Sequence, residues 1–295
     1  MRANWYKGLL FYTFPHLLNQ PGLIHAFSSR LGGVSQGCCG GLNLAYAHPE
    51  DTDANVSENW RRFAAAVGFD PKRLVRTRQT HHVNIREVEE KDAGYGLTRP
   101  SGYTDIDGLI TGALNLPLIT YHADCVPLFF YAPRQRLIGL AHAGWRGTAA
   151  NMAAAMVKAL CQRGSAPAEL LAGIGPSAGP CCYQVGPEVA ERFAGLEDES
   201  GPLLRPDERV LGKYKLDLWR ANRAFLLQAG LKPENIIIGG LCTVCHPRLF
   251  FSHRAQGGAR GTLAAVMMLK REDGDHEYNG TSAPSGGLEH GSGSA

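Results

Sequence analysis

Short apolar segments alternate with polar, glycine-containing stretches over most of the chain. Short apolar runs bounded by turn-forming residues are typical of buried strands. On this pattern we predict strands at residues 23–28, 83–88, 108–111, 117–120, 126–131, 137–142, 170–174, 236–239 and 250–252.

Four longer stretches instead have apolar residues at helical spacing, and they predict helices at 55–67, 149–163, 187–193 and 215–229. Thr148 is placed to cap the second of these, and Gly230 ends the fourth. Strands and helices interleave without the regular alternation of a parallel doubly wound sheet. We therefore predict the α+β class, with a layered sandwich of mixed β-sheet and packed helices.

The domain organisation predicted from this pattern is simple. Residues 1–271 contain no linker-like segment and are numerous enough for one sizeable core, so we expect a single globular domain. Residues 272–295 are rich in Gly and Ser and lack apolar periodicity. Such a composition predicts a disordered tail.

Composition and charge exclude several classes of partner. The net charge is +3, and Lys and Arg are scattered rather than clustered, so we expect no nucleic-acid partner. The sequence offers neither a signal peptide nor a membrane-spanning apolar run, which predicts a cytoplasmic protein with no membrane partner. Phosphate-binding glycine motifs are also absent from it.

The stretch ADCVPLFFYAPRQRLIGLAHAGWRG, residues 123–147, carries the most suggestive chemistry. If the strands at 126–131 and 137–142 form an antiparallel hairpin, Cys125 and His142 lie at the same open end of it. A thiol and an imidazole so placed can be a nucleophile and its base, or two metal ligands. A buried structural cysteine is the third reading, and this pair alone leaves all three open.

Two further histidines, His81 and His82, stand at the mouth of another predicted strand. One of them together with Cys125 and His142 would make a three-ligand set with a fourth position open, as in catalytic zinc sites. Thiolate and imidazole suit zinc, and they suit copper as well. The third ligand therefore favours a metal site over a simple nucleophile–base pair.

The remaining cysteines do not form a recognisable ligand pattern. Cys242 and Cys245 belong to a CxxCH sequence, but haem attachment at such a motif requires export. A zinc site built on this CxxC would need the pair at 38–39 or the pair at 181–182 as its other half, and neither has ligand spacing. We expect these thiols, and Cys161, to be structural.

Several motifs occur together in the order found in one known family. They are SRLGGVSQG…LNL (29–44), QTHH (79–82), TDIDGLIT (104–111), ADCVPLFF (123–130), HAGWRGT (142–148), IGPSAGPCCYQVG (174–186), LDLWRANRAFLLQAG (216–230) and FFSHRAQGGARG (250–261). Over about residues 20–270 the chain resembles the laccase-like polyphenol oxidase family. This family is also called the purine nucleoside phosphorylase family, and it includes the peptidoglycan editing factor.

The resemblance implies a catalytic domain with a cysteine-hydrolase-like layered fold, unrelated to the cupredoxin fold. It implies zinc, or copper, bound by His81, Cys125 and His142. His82 occupies the position of the glycine in the family's QxHG motif, which makes His81 the expected ligand. The implied activities are phosphorolysis of adenosine, inosine and methylthioadenosine and deamination of adenosine. The partners are then nucleosides and phosphate, with a homodimer as the candidate assembly.

Residue roles in this chemistry can be assigned as expectations. Arginine is the favoured clamp for a phosphate because its planar fork matches oxyanions. Asp124 is the carboxylate nearest in sequence to the metal-binding thiol, where it could relay a proton or orient an imidazole. The expected set is Asp124, Cys125 and Arg146 for catalysis and Arg30, Asn43, Gln79 and Arg146 for substrate binding.

Three alternatives remain open at the level of sequence. A copper-dependent polyphenol oxidase is one, although a single site of two histidines and a cysteine cannot hold a multicopper cluster. A metal-free hydrolase of peptidoglycan precursors, with Cys125 as nucleophile and His142 as base, is another. The third is a non-catalytic protein for quality control of such precursors.

Overall fold

The computed structural model describes residues 1–271 and 281–282. Its strands are β1 (Arg2–Tyr6), β2 (Leu9–Thr13), β3 (Leu23–Ser28), β4 (Val75–Arg76), β5 (Ile85–Glu87), β6 (Gly108–Thr111), β7 (Leu118–His122), β8 (Val126–Ala132), β9 (Leu137–Ala143), β10 (Leu171–Ile174), β11 (Gln184–Val185), β12 (Glu197–Asp198), β13 (Gly201–Pro202), β14 (Leu204–Pro206), β15 (Tyr214–Leu216), β16 (Ile236–Ile238), β17 (Leu263–Leu269) and β18 (Thr281–Ser282).

The α-helices are α1 (Pro15–Leu18), α2 (Asp53–Val67), α3 (Trp145–Ala149), α4 (Met152–Cys161), α5 (Pro187–Ala190), α6 (Leu218–Gln228) and α7 (His253–Gln256). Short 3₁₀ turns lie at Gly37–Cys39, Pro71–Arg73, Glu90–Asp92, Pro167–Glu169, Glu191–Phe193 and Pro233–Asn235. Within the described ranges, no helix combines the length and the apolar character needed to cross a bilayer.

Two large mixed sheets form the centre of the molecule. The seven-stranded sheet has the order β18-β1-β2-β3-β17-β7-β4, and the six-stranded sheet has the order β16-β10-β8-β9-β6-β5. Most neighbours are antiparallel, but β4 pairs in parallel with β7, β5 with β6, and β10 with β16. The α+β prediction with mixed sheet is therefore confirmed.

Successive side chains of the central strands point into different hydrophobic cores, and this explains how the layers stack. On β17, Ala265 and Met267 face the core between the two sheets, whereas Ala264 and Val266 face the core beneath α2. On β8, Phe129 faces the inter-sheet core and Phe130 faces the core beneath α4 and α6. The result is a four-layer sandwich of helix, sheet, sheet and helices. Truncating a fully buried aromatic such as Phe129 to alanine would cost about 3–5 kcal/mol.

Most of the predicted strands and helices are present in the structure, but one predicted helix cap and one predicted strand are wrong. Strands 23–28 and 108–111 have the predicted bounds. Thr148 is not the cap of the long helix: Asn151, at a φ of 61°, interrupts the chain, and its side chain accepts the N–H of Ala154 to start α4. Residues 250–252 are not a strand, because Phe250 and Phe251 are buried in the core from a loop.

The predicted C-terminal tail falls largely outside the described residues. Of the segment 272–295, only 281–282 are described, and they form β18, which pairs antiparallel with β1.

Candidate metal centre

Three side chains from separate loops and strands meet where the chain passes between the two sheets. Cys125 lies in the turn that leads from β7 of one sheet to β8 of the other. The predicted β8–β9 hairpin is confirmed, and its register pairs Val126 with Ala143, so His142 lies beside the start of β8. His81 comes from the loop between β4 and β5, with its Nε2 4.0 Å from Cys125 Sγ. One donor atom from each of the three side chains lies within 4.8 Å of the other two.

The backbone around these donors is held in uncommon conformations. His81 and Asp124 have φ values of 68° and 85°, in the left-handed region that costs a non-glycine residue about 1–3 kcal/mol. Gly144 leaves room for these side chains, because a Cβ there would lie 3.0 Å from both Cys125 Sγ and His81 Cδ2 and would have to displace them by a few tenths of an ångström. Such strain persists only where the surrounding structure holds it, and it clusters at functional sites.

One buried carboxylate, Asp107, positions two of the three donors. Its Oδ1 lies 2.7 Å from His142 Nδ1 and accepts the backbone N–H of His81 at 3.1 Å, while its Oδ2 accepts the N–H of Thr80 at 2.8 Å. Because His142 Nδ1 is engaged, Nε2 is the ring nitrogen left for a metal. A carboxylate behind a ligand imidazole is the usual way proteins fix its tautomer and orientation.

Charge at the centre favours a thiolate. Burial raises the pKa of Cys125, but the facing His142 imidazole and hydrogen bonds from His142 and His81 outweigh it and lower the pKa below its ordinary value. Burial lowers the pKa of His142, whereas Cys125 and Asp107 raise it by a larger amount. The thiolate is the form of cysteine that binds metals, so these contacts favour the form of Cys125 that this role needs.

Two neighbouring histidines are occupied with other contacts. His82 is exposed and its Nδ1 lies 2.7 Å from Asp105 Oδ1. His122 is buried, with Nδ1 3.0 Å from the carbonyl oxygen of Cys125 and Nε2 2.7 Å from Thr120 Oγ1. Burial, with a contribution from His142, lowers the pKa of His122 well below its ordinary value. A neutral His122 can therefore donate a hydrogen bond from Nδ1 to the carbonyl oxygen of Cys125 and so hold the turn that carries this cysteine.

Asp124 joins three loops around the centre. Its Oδ1 accepts the hydroxyl of Thr243 and its Oδ2 accepts the N–H of Arg254, each at 2.6 Å. Its carbonyl oxygen accepts the N–H of Ala178 at 2.9 Å. The orienting contact to a donor imidazole, which the sequence suggested for Asp124, is made by Asp107 instead.

Three of the residues expected to bind substrate have side chains committed within the protein. Arg30 donates to the carbonyl oxygens of Gly40 and Pro247 and covers the ring of Phe251. The buried amide of Asn43 donates to Asp51 Oδ2 at 2.7 Å and accepts the N–H of Thr262 at 2.9 Å. Gln79 exchanges hydrogen bonds of 2.7 and 2.8 Å with the backbone of Tyr121. These contacts shape the loops around the centre.

Arg146 and Arg260 supply positive charge near the centre. Arg146 is exposed in the first turn of α3, and its guanidinium carbon lies 4.2 Å from the ring centroid of Trp145. Arg260 is half-buried, and its buried Nε has no hydrogen-bond partner among the described residues. Burial lowers the pKa of Arg260, while the nearby Asp124 and Cys125 oppose that shift. The sequence motif at 250–261 contains Arg260 but does not show that it lies near Cys125.

Tyr183 also lies near the centre, with its ring centroid 5.2 Å from the guanidinium carbon of Arg254, and sequence reasoning missed it. Burial raises the pKa of its hydroxyl, and Cys125 and Asp124 raise it further, against the opposing effect of Arg254 and Arg146. The hydroxyl therefore stays protonated and can donate a hydrogen bond at neutral pH.

The expectation that the CxxC lacks a partner pair is wrong. Four thiols lie within 4.8 Å of one another at Cys181, Cys182, Cys242 and Cys245. The two segments are distant in sequence but adjacent in the fold, which ligand spacing along the chain could not reveal.

Comparison with known proteins places these features in a family. The family described as multi-copper polyphenol oxidoreductase laccase matches residues 24–270. Purine nucleoside phosphorylase YlmD of Geobacillus stearothermophilus is 37% identical over 253 residues, which cover 85% of this chain and 92% of that protein. Adenosine deaminase RL5, from an unknown prokaryotic organism, is 30% identical over 236 residues, covering 79% and 89%.

A solved structure agrees with the sequence matches. The crystal structure of YlmD from Geobacillus stearothermophilus superposes with a TM-score of 0.82 at 35% identity, covering 92% of this chain and 99% of that one. The resemblance inferred from the motifs is thereby confirmed. The chain belongs to the laccase-like polyphenol oxidoreductase family.

Proposed function

We propose that this protein is a zinc-dependent purine nucleoside phosphorylase that also deaminates adenosine. The observation that carries the proposal is the meeting of His81, Cys125 and His142 around one point, with Asp107 orienting His142 from behind. The names of relatives that match most of the chain, a purine nucleoside phosphorylase and an adenosine deaminase, support the reaction class. The substrates we propose are adenosine, inosine and methylthioadenosine, with phosphate.

The donor set fits a zinc ion. One thiolate and two imidazoles are ligands that zinc prefers, and tetrahedral zinc places sulfur and nitrogen ligands about 3.6 Å apart. The observed 4.0 Å between His81 Nε2 and Cys125 Sγ is close to that spacing. When bound, zinc would supply Lewis-acid chemistry at an open fourth position. Copper suits the same donors, and metal analysis of the purified protein distinguishes the two.

We assign phosphate binding to Arg146 and Arg260, whose positive charges lie near the centre; within the described residues, Arg260 Nη1 donates only to its neighbours in sequence, Gly261 O and Thr262 Oγ1. Arg260 keeps a buried Nε without a partner in the described structure, so an anion there would complete its hydrogen bonding. Arg146 is exposed at the start of α3, and we assign its guanidinium to the same anion. A guanidinium binds phosphate through charge-assisted, often bidentate hydrogen bonds.

Phosphorolysis then requires few groups. A phosphate oxygen forms the bond to C1′ of the ribose while the bond from C1′ to the purine nitrogen breaks, and the purine takes up a proton. Arg146 and Arg260 hold the phosphate in line for this displacement. Tyr183, whose raised pKa keeps it protonated, donates a hydrogen bond to the substrate. Positioning of this kind supplies a large part of the acceleration in displacement reactions.

Deamination of adenosine uses the same centre without phosphate. A water oxygen forms a bond to C6 of the purine, the amino group leaves as ammonia, and protons pass between them. Asp124 is the carboxylate proposed to relay these protons, because it lies beside Cys125 with each oxygen holding one observed hydrogen bond and room for another. Its position is fixed by Thr243 and Arg254, as a proton relay requires.

The test is an incubation of the purified, zinc-loaded protein with each nucleoside, with and without phosphate, followed by separation of the purines. Adenine from adenosine only in the presence of phosphate reports phosphorolysis, and inosine without phosphate reports deamination. Cys125→Ser should abolish both, and Cys161→Ser, a thiol at the end of α4, should change neither. If zinc-loaded protein forms neither adenine nor inosine, the proposed function is wrong.

A further inference from the structure

Two loops that are far apart in sequence bring four further cysteines together, none of which belongs to the candidate metal centre. Cys181 and Cys182 follow β10, and Cys242 and Cys245 follow β16. The sulfur of Cys245 lies 3.3 Å from that of Cys181 and 3.3 Å from that of Cys182, and all four sulfurs are within 4.8 Å of one another.

The backbone holds both loops in place independently of the thiols. Ser177 and Cys242 form a parallel β-bridge, in which Ser177 N–H donates to the carbonyl oxygen of Leu241 and Thr243 N–H donates to that of Ser177. The turn that carries Cys181 and Cys182 is closed by hydrogen bonds to the carbonyl oxygen of Gly179. The N–H of Gly179 also donates to Cys242 Sγ at 3.3 Å, a contact that stabilises a thiolate.

The geometry fits a four-coordinate ion better than it fits disulfides. Tetrahedral zinc with four thiolates separates the sulfurs by about 3.8 Å, whereas a disulfide needs about 2.05 Å. The observed 3.3 Å separations lie near the first distance and far from the second. Cys242 and Cys245 also have the two-residue spacing found in structural zinc sites.

We propose that Cys181, Cys182, Cys242 and Cys245 bind a second zinc ion in a closed structural site. The proposal is independent of the proposed function, because none of these thiols belongs to the centre at Cys125. Cys242 is buried, while Cys181 and Cys245 are exposed, so the ion would lie just beneath the surface with its four positions filled by sulfur. A closed set of four cysteines is the usual structural zinc site.

The position of this site gives it a consequence for the neighbouring centre. Thr243, between two of the cysteines, donates to Asp124, and Tyr183 directly follows Cys182. An ion that ties the two loops would therefore hold Asp124 and Tyr183 at fixed positions beside Cys125. We assign the four cysteines a positioning role, with no contact to substrate.

Zinc stoichiometry in the full-length protein tests the site. Elemental analysis of the wild type should give about two equivalents of zinc, and Cys125→Ser should retain about one. Cys181→Ser combined with Cys245→Ser should also lose about one equivalent, because both side chains are exposed and their removal opens no core cavity. Cys161→Ser is the matched control and should keep the wild-type content.

X-ray absorption at the zinc edge makes the test independent of whether the double variant folds. In Cys125→Ser protein the remaining zinc should have four sulfur neighbours at about 2.3 Å. A shell dominated by nitrogen or oxygen, zinc-free Cys125→Ser protein, or a mass lowered by a disulfide among these thiols would each overturn the proposal. Loss of nucleoside turnover in Cys125→Ser would not, so this proposal and the proposed function fail separately.

Discussion

The Oδ1 atom of Asp107 lies 2.7 Å from Nδ1 of His142 and also accepts the backbone N–H of His81. One buried carboxylate therefore fixes two of the three donors at the candidate metal centre, one through its ring and the other through its backbone. Because Asp107 immediately precedes β6, which pairs with β9, the sheet itself holds the carboxylate behind the imidazole.

Asp107→Asn should weaken metal binding at this centre by about 10- to 100-fold, the usual effect of removing a carboxylate behind a ligand imidazole. The amide keeps the size of the side chain but places an N–H group where a donor already points. Competition with a chromophoric chelator measures the affinity. Asp105→Asn is the control, because Asp105 is only half-buried and contacts His82, which is not one of the three donors. Equal effects of the two substitutions would contradict the assigned role of Asp107.

His81→Ala and His82→Ala should differ in metal content, although the two residues are adjacent in the sequence. His81 Nε2 faces Cys125 Sγ, whereas His82 turns to Asp105 at the surface. We expect His81→Ala to lose the metal bound at Cys125 and the activity with it, and His82→Ala to keep the metal. Metal analysis of the two purified variants checks this, and metal loss from His82→Ala alone would show that the assignment is reversed.

Arg260→Gln should raise the KM for phosphate by about 10- to 100-fold, the effect of losing a charged hydrogen bond. The KM for adenosine should change much less. Arg30→Gln is the comparison, because its guanidinium donates to the carbonyl oxygens of Gly40 and Pro247. That variant should lower the thermal midpoint while leaving the KM for phosphate near wild type. An unchanged phosphate KM in Arg260→Gln would remove Arg260 from the phosphate site.

His25 should make the fold sensitive to acid. It is fully buried, its Nε2 accepts the N–H of Phe14 at 2.7 Å, and burial lowers its pKa to about 3. The unfolded chain therefore takes up this proton below about pH 6.5, while the folded chain does so only near pH 3. The contribution of His25 is present above pH 6.5 and declines as the pH falls through that window, by about 1.4 kcal/mol per pH unit.

His25→Gln keeps a hydrogen-bond acceptor and removes the titration. Urea unfolding at pH 7 and pH 5 should show a loss of stability that is about 2 kcal/mol smaller in His25→Gln than in the wild type. The comparison cancels other groups, such as His122, that both proteins share. Equal losses in the two proteins would mean that His25 is not held neutral in the fold.

The features of the fold that depend on a local pattern of residues could be predicted from the sequence. The β8–β9 hairpin follows from two apolar runs around a polar turn, and it brings Cys125 and His142 together without any knowledge of the rest of the chain. β17 (LAAVMML) escaped prediction because Leu, Ala and Met are good helix formers, and a wholly apolar run does not by itself distinguish a strand from a buried helix. The turn between β1 and β2 contains Lys7 and Gly8 at positive φ, which is a weaker hairpin signal than Asn-Gly or Asp-Gly.

Features that depend on long-range pairing could not be predicted in this way. Asp107 and His142 are 35 residues apart in the sequence. They meet only because β6 lies beside β9 in the sheet. Cys182 meets Cys245 because β10 pairs with β16 and the loops that follow run side by side. Arg260 and Tyr183 likewise reach the centre from loops whose position is set by the whole fold.

Phosphorus-31 NMR of the zinc-loaded protein with adenosine and inorganic phosphate tests directly whether the centre at Cys125 catalyses phosphorolysis. We expect a new sugar-phosphate resonance that grows in step with free adenine while the phosphate resonance declines equally, and no such resonance with Cys125→Ser. If adenosine and phosphate remain unchanged with zinc-loaded wild type, or Cys125→Ser turns them over at the wild-type rate, the centre formed by His81, Cys125 and His142 does not catalyse phosphorolysis.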